Sequence, residues 1–222
     1  MRPWRMFVSV TGLLALVAGA GYSAHADVID GTDQAETLVG TMSDDVIHAR
    51  GGNDLVKGLD GYDRLYGGPG TDQLHGGGAR DYVEGGPALD RLTGAGGDDF
   101  MSGDFGEDFV WGGGGDDVVV GGPGNDHLWG GVGEDSLTDH RIGELGDDPG
   151  DDRLNGWRGN DFFGVTGGED VVHAAAGDDL VKTLDDGEVD VIACGAGTDT
   201  VIYYGDRDPL DRLHACERVR VE

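Results

Sequence analysis

Gly121-Gly122-Pro123-Gly124-Asn125-Asp126-His127-Leu128-Trp129 is the stretch that decides the fold. It is a glycine-rich half, an acid, and an aliphatic residue two places later, and the unit recurs. Outward from Asp126, acids stand every nine residues at Asp117, Asp108, Asp99, Asp90, Asp81, Asp72, Asp63, Asp54, Asp45 and Glu36, and again at Asp135. An apolar residue follows each by two, from Leu38 and Ile47 to Leu128 and Leu137. The phase breaks between Thr138 and Pro149 and restarts at Asp152, Asp161, Asp170 and Asp179. It slips by two residues at Leu184–Gly187 before Asp190 and Asp199. About 18 units cover residues 34–202. A short internal period sustained this long is the signature of a solenoid.

The unit's two halves predict two shapes. Glycine tolerates positive φ, so the first half suits a turn. The x-U-x half reads as a three-residue strand whose central side chain points inward. If two units make one coil, residues 18 apart stack. One flank then carries Asp45, Asp63, Asp81, Asp99, Asp117 and Asp135, the other Asp54, Asp72, Asp90, Asp108 and Asp126. Carboxylates one strand spacing apart, about 4.8 Å, repel. One buried aliphatic side chain per unit is also too little apolar surface to offset the ordering of nine residues. A divalent cation between coils answers both needs. No Cys or His occupies a repeat-locked position, and donors that are all hard oxygens favour calcium over zinc or copper.

The pattern G-G-x-G-x-D-x-U-x resembles the RTX (hemolysin-type) calcium-binding nonapeptide repeat family, and the resemblance covers most of the chain. It implies an all-β fold, a right-handed parallel β-roll. It also implies multiple calcium ions held by loop Asp side chains and backbone carbonyls of stacked loops. The metal positions so implied are Asp45, Asp54, Asp63, Asp72, Asp81, Asp90, Asp99, Asp108, Asp117, Asp126, Asp135, Asp152, Asp161, Asp170 and Asp179. Affinity near 10⁻⁴–10⁻³ M, about that of extracellular modules, is expected. Ser43, Ala79 and Ala88 replace a loop glycine and Glu36 replaces Asp, so weaker metal binding is expected there. Two other readings stand beside this one: a metal-free solenoid whose Asp residues only cap turns, and a chain disordered without calcium.

Composition agrees. The 222 residues include 45 Gly, and 44 acids against 15 Lys plus Arg give a net charge of −29. So much glycine argues against an ordinary helical or doubly wound domain. The charge disfavours nucleic acid and anionic membranes and suits cations. Arg2 and Arg5, the apolar run Phe7–Ala18 and Ala24-His25-Ala26 form the pattern of a secretory signal peptide, too short to span a bilayer. Its removal would take the charge from −29 to −31, since Arg2 and Arg5 leave and no acid does. The expected division is signal peptide 1–26, main repeat array 27–137, phase-breaking loop 138–151, second repeat block 152–202 and C-terminal cap 203–222. In a secreted chain Cys194 and Cys216 read as one disulfide stapling the cap.

Catalytic signals are thin. The mature serines Ser43, Ser102 and Ser136 sit inside the repeat and none lies in G-x-S-x-G. No H-E-x-x-H occurs, and pairs such as Asp98-Asp99 recur with the repeat, so they read as loop positions rather than hydrolytic dyads. The surface expectation is sharper. Phe100, Phe109, Trp111, Val118, Val120 and Trp129 fall at outward strand positions and are expected to be exposed, with Trp111 stacked on Trp129 and Phe100 on Val118. Exposed apolar ladders mark a protein partner or a self-association surface. The leading expectation is therefore a secreted, non-enzymatic calcium-binding structural or interaction module with no nucleic-acid partner and no membrane span. The rival is a polysaccharide-acting enzyme or lectin that uses the aromatic ladder.

Overall fold

The computed structural model describes residues 15–17, 26–140, 150–184 and 187–222. The expected export segment, apart from Ala15–Val17 and Ala26, and the middle of the phase-breaking loop, 141–149, lie outside the described residues. Every described element is a strand, and all strand pairs are parallel.

The chain alternates between two parallel sheets. The first contains β1 (Ala15–Val17), β3 (Thr37–Val39), β5 (Leu55–Asp60), β7 (Gln73–Gly78), β9 (Arg91–Gly96) and β11 (Phe109–Gly114). It continues with β13 (His127–Val132), β15 (Arg153–Arg158), β17 (Val171–Ala176), β19 (Val191–Ala196) and β21 (Arg212–His214). The second contains β2 (Val28–Asp30), β4 (Val46–His48), β6 (Arg64–Tyr66), β8 (Tyr82–Pro87), β10 (Phe100–Phe105) and β12 (Val118–Val120). It closes with β14 (Ser136–Thr138), β16 (Phe162–Gly164), β18 (Leu180–Leu184), β20 (Thr200–Tyr204) and β22 (Arg218–Val221). Consecutive strands always fall in opposite sheets, so two units make one coil. This is a parallel β-solenoid.

The register follows the nine-residue period. Val110 pairs with Leu92 on one side and Leu128 on the other, each 18 residues away. The central residue of each strand points inward, so the core is a double file of apolar side chains such as Val56, Leu74, Leu92 and Val110 from one sheet, and Ile47, Leu65, Val83 and Met101 from the other. Nearly all are fully buried.

Each sheet has eleven described strands, where the sequence predicts about nine coils. The stack is longer because segments outside the nine-residue phase join it. Ala15–Val17 pairs with Thr37–Val39 at one end. At the other end β21 and β22 continue the ladder onto β19 and β20, so the cap is the last coil rather than a separate lid. Cys194 and Cys216 form the expected disulfide, tying β19 to the turn after β21.

The phase breaks do not interrupt the stack. Asp126 N–H donates to Asp152 across 26 residues, and Asp135 to Asp161 across the same interval, against 18 elsewhere. The excursion is thus eight extra residues in one coil. The later slip shows the same way, with intervals of 20 from Asp170 to Asp190 and from Asp179 to Asp199.

Candidate metal centre

Two turns per coil put the acids where the spacing predicts, in two files along the solenoid edges. Each carboxylate divides its work between its oxygens. The Oδ1 of Asp63 accepts the backbone N–H of Asp45 at 2.7 Å. Asp72 accepts from Asp54 at 2.7 Å, Asp90 from Asp72 at 2.7 Å, and Asp108 from Asp90 at 2.7 Å. The file that begins with Asp45 and Asp63 continues alike, with Asp99 accepting from Asp81 at 2.7 Å and Asp117 from Asp99 at 2.8 Å. This bond satisfies an amide that turns away from the sheet ladder, so Oδ1 does the capping job that a metal-free solenoid would require.

Oδ2 is different. In Asp54, Asp63, Asp72, Asp81, Asp90, Asp99, Asp108, Asp117, Asp135, Asp161, Asp170 and Asp179 this oxygen is buried with no hydrogen-bond partner among the described residues. Buried unsatisfied acceptors are rare in folded proteins, and a whole row of them asks for a reason. Burial pushes these carboxyls up, each only partly offset by the amide on Oδ1. Asp90 reaches about 8, with Asp108, Asp72 and Asp104 adding repulsion. Asp170 rises to about 9, with Asp152, Asp190 and Asp139 nearby. Asp81, Asp108, Asp117 and Asp161 rise to about 7. Without a counter-charge, the fold resists ionising these groups at neutral pH.

The glycines show what the row faces. A Cβ built on Gly94 would lie 2.2 Å from Asp99 Oδ2 and 2.7 Å from the carbonyl oxygen of Gly112 in the next coil. At Gly103 the corresponding distances are 2.4 Å to Asp108 Oδ2 and 2.8 Å to Gly121 O. Where the unit begins with glycine, a side chain would crowd the place where an acid oxygen and a carbonyl of the next coil converge, yet Ala49, Val165 and Ala174 hold that position, buried in the core, in the units of Asp54, Asp170 and Asp179. The later glycines serve shape. Gly70 holds φ at +152, and a Cβ there would meet Gly52 O at 1.6 Å. Alanine takes the same left-handed region at Ala79 and Ala88, with φ of 69 and 96, so these departures keep the turn and carry strain.

No group of three or more His, Cys, Asp or Glu side chains forms a metal cluster among the described residues. Any ion held here takes most of its donors from backbone carbonyls. An anionic hard oxygen with carbonyls around it fits calcium. Calcium would supply the positive charge that lets neighbouring carboxylates ionise together, and it would bridge successive coils.

Not every predicted metal position has this form. Asp45 Oδ2 accepts the backbone N–H of Thr41 at 2.5 Å, and the Thr41 hydroxyl donates to Oδ1 at 3.3 Å. Glu36 is closed the same way by the backbone N–H and hydroxyl of Thr32, at 2.8 and 2.9 Å. These two turns near the N-terminus use threonine donors, as does that of Asp190, whose Oδ2 accepts the Thr183 hydroxyl at 3.1 Å, where most turns between leave an oxygen open. Asp126 and Asp152 keep their place in the Oδ1 ladder.

The ladder also runs further than the candidate positions. Asp190, Asp199, Asp211 and Glu217 carry it into the cap, where Asp190 N–H donates to Asp211 and Asp199 N–H to Glu217, both at 3.0 Å. Asp190 and Asp199 were visible in the phase; Asp211 and Glu217 sit beyond its last slip. A second, outer ladder runs beside the first. Asp98 accepts the N–H of Asp116 at 3.0 Å, Asp116 that of Glu134 at 2.9 Å, and Asn160 that of Asp178 at 2.8 Å. Its sequence signal was the recurring Asp or Asn just before the repeat acid, and it explains the Asp-Asp pairs as hydrogen-bonding turns.

The aromatic positions lie as the stacking predicts, whereas Val120, expected on the exposed face, is buried. Trp111 pairs in register with Trp129, and Phe100 with Val118. Phe109 stacks on His127 at 4.8 Å and on Trp129 at 6.3 Å, while Phe100 stacks on Tyr82 at 5.0 Å. No helix among the described residues is long and apolar enough to cross a membrane.

Among curated proteins, none matches this sequence. The family model for the RTX calcium-binding nonapeptide repeat matches residues 30–65, 48–83, 75–110, 111–138, 147–163 and 165–184, well over half of the chain. The matched stretches coincide with the turns whose acids line the solenoid edges, and repeats of this kind bind calcium. The chain belongs to the RTX calcium-binding nonapeptide repeat family.

Proposed function

We propose that the protein is an exported calcium-binding structural module that folds when calcium fills the turns of its solenoid. The row of buried, unpartnered Asp Oδ2 atoms carries this reading, because a fold that sequesters so many acid oxygens needs a cation to stand at neutral pH. The repeat acids from Asp54 to Asp179 act as ligands together with carbonyls of the next coil. The open-oxygen turns do so most directly. Export follows from the N-terminal segment, Arg2 to Ala26, and delivers a loose chain to a medium with millimolar calcium. Binding and folding are then one event.

Far-ultraviolet circular dichroism of the mature chain, residues 27–222, during a calcium titration tests this. A cooperative gain of β signal at sub-millimolar to millimolar calcium, absent with magnesium, is the expected result. A spectrum already β-rich in chelator and unmoved by calcium would refute it.

A further inference from the structure

The acids are not spread evenly over this acidic molecule. Along β5, β7, β9, β11, β13 and β15 the outward positions beside the buried central residue include no Asp or Glu, in a chain with 44 of them. They carry Lys57, Arg91 and Arg153 instead. On the opposite strands β6 to β16 the same positions hold one acid and one base, Glu84 and Arg64.

Within the basic strip lies an apolar groove of about 400 Å³, lined by Arg91, Thr93, Phe109, Trp111, Trp129 and Trp157. Trp111 and Trp157 are 50% and 52% exposed. The Arg91 guanidinium lies over the Phe109 ring, 5.2 Å from its centroid, which fixes a cation at the groove wall.

We propose that this face binds a single chain of an acidic polysaccharide, with Trp111 and Trp157 stacking on sugar rings while Arg91 and Arg153 pair with carboxylates. Charge complementarity selects the partner, since these positions carry three cations and no acid on β5 to β15, whereas on β6 to β16 opposite the one cation, Arg64, is cancelled by Glu84. Width selects its form. Three strand residues span about 10 Å, and acids border the strip, Asp60 at the end of β5 and Asp98 and Asp116 in turns. A narrow polymer fits between these rims, and a duplex nucleic acid would overhang them. Single-stranded nucleic acid fits less well than a glycan, because serial base stacking needs open ring faces. Phe109, His127 and Trp129 close theirs on one another. Gln73, Thr93 and Asn155, between the cations, offer the single hydrogen bonds that sugar hydroxyls take.

The test is affinity electrophoresis of calcium-loaded mature protein through gels containing polygalacturonate, dextran or a 20-mer of oligo-dT. Polygalacturonate is expected to retard the protein and dextran to leave it unaffected. Arg91→Gln with Arg153→Gln, and separately Trp111→Ala with Trp157→Ala, should each weaken retardation at least about tenfold. The calcium midpoint by circular dichroism should stay unchanged in both, which separates loss of this face from loss of folding. Absence of retardation overturns the proposal. So does retardation that survives both variants, as calcium bridging to the acidic turns would give, or stronger retardation by oligo-dT.

Discussion

At the residue scale, the repeat acid has two duties, and they come apart by mutation. Asn keeps an oxygen to accept the amide of the preceding coil but loses the charge at Oδ2. Asp90→Asn should therefore preserve the turn while removing one calcium, read as a stoichiometry one lower by calorimetry. Gly94→Ala attacks the same place from the other side, since its Cβ would lie 2.2 Å from Asp99 Oδ2. It should lower calcium affinity and destabilise by about 1–3 kcal/mol. Ala88→Gly should do the opposite and stabilise by about 1 kcal/mol, because φ of 96 strains alanine and not glycine. Thr41→Gly should free Asp45 Oδ2 and add a calcium; unchanged stoichiometry would mean that threonine is not what closes the turn.

The acids also fix a pH response. Their pKa values are raised by burial, to about 6 for Asp63 and Asp135, about 7 for Asp81 and about 8 for Asp90. The metal-free folded state thus binds more protons than the unfolded chain above the ordinary aspartate value of 3.8. Its stability is fully present below that pH and is lost as pH rises through roughly 6 to 8. Thermal melts of protein dialysed free of metal should show the highest midpoint near pH 4. A midpoint that rises toward pH 8 would contradict this sign.

At the scale of elements, the solenoid tolerates what its hydrogen-bond ladder can bridge. The interval of 26 residues between Asp126 and Asp152 is one coil plus eight. Deleting residues 141–148 restores 18 and should leave calcium-dependent folding intact, whereas deleting four should break the register and the cooperativity. The disulfide holds the last coil to β19. Cys216→Ala should cost about 2–4 kcal/mol and speed hydrogen exchange at Arg212–Val221 while sparing the earlier coils.

The same scale shows how much was legible beforehand. Strand positions, inward residues and the pairing of Trp111 with Trp129 followed from the period, because in a stacked coil sequence interval is register. The acid at each sixth place was equally plain. Other features lay outside the period. Nothing in the spacing marks that Thr41 occupies Asp45, since the decisive donors are a backbone amide and a hydroxyl four residues away. Asp211 and Glu217 extend the ladder although the repeat has dissolved, because a parallel edge accepts any strand that keeps the amide-to-carboxylate bond. The cationic strip has no motif of its own, since it emerges only when the residues flanking each inward position are compared between the two sheets.

At the scale of the whole molecule, the protein is a rod held by charge. Eleven strands per sheet at about 4.8 Å make it roughly 50 Å long. Its core is one side chain wide on each side, and its edges carry files of acids. Such a rod has no thick apolar interior to sustain it once the edges repel. Stability should spread along the stack, coil by coil, and follow the cation rather than the core.

Small-angle X-ray scattering of residues 27–222, with calcium and in chelator at neutral pH, tests this most directly. The account predicts a radius of gyration near 47 Å without calcium, as for an unfolded chain of this length, falling to about 17–20 Å with it. A compact radius in chelator, unchanged on adding calcium, would contradict it.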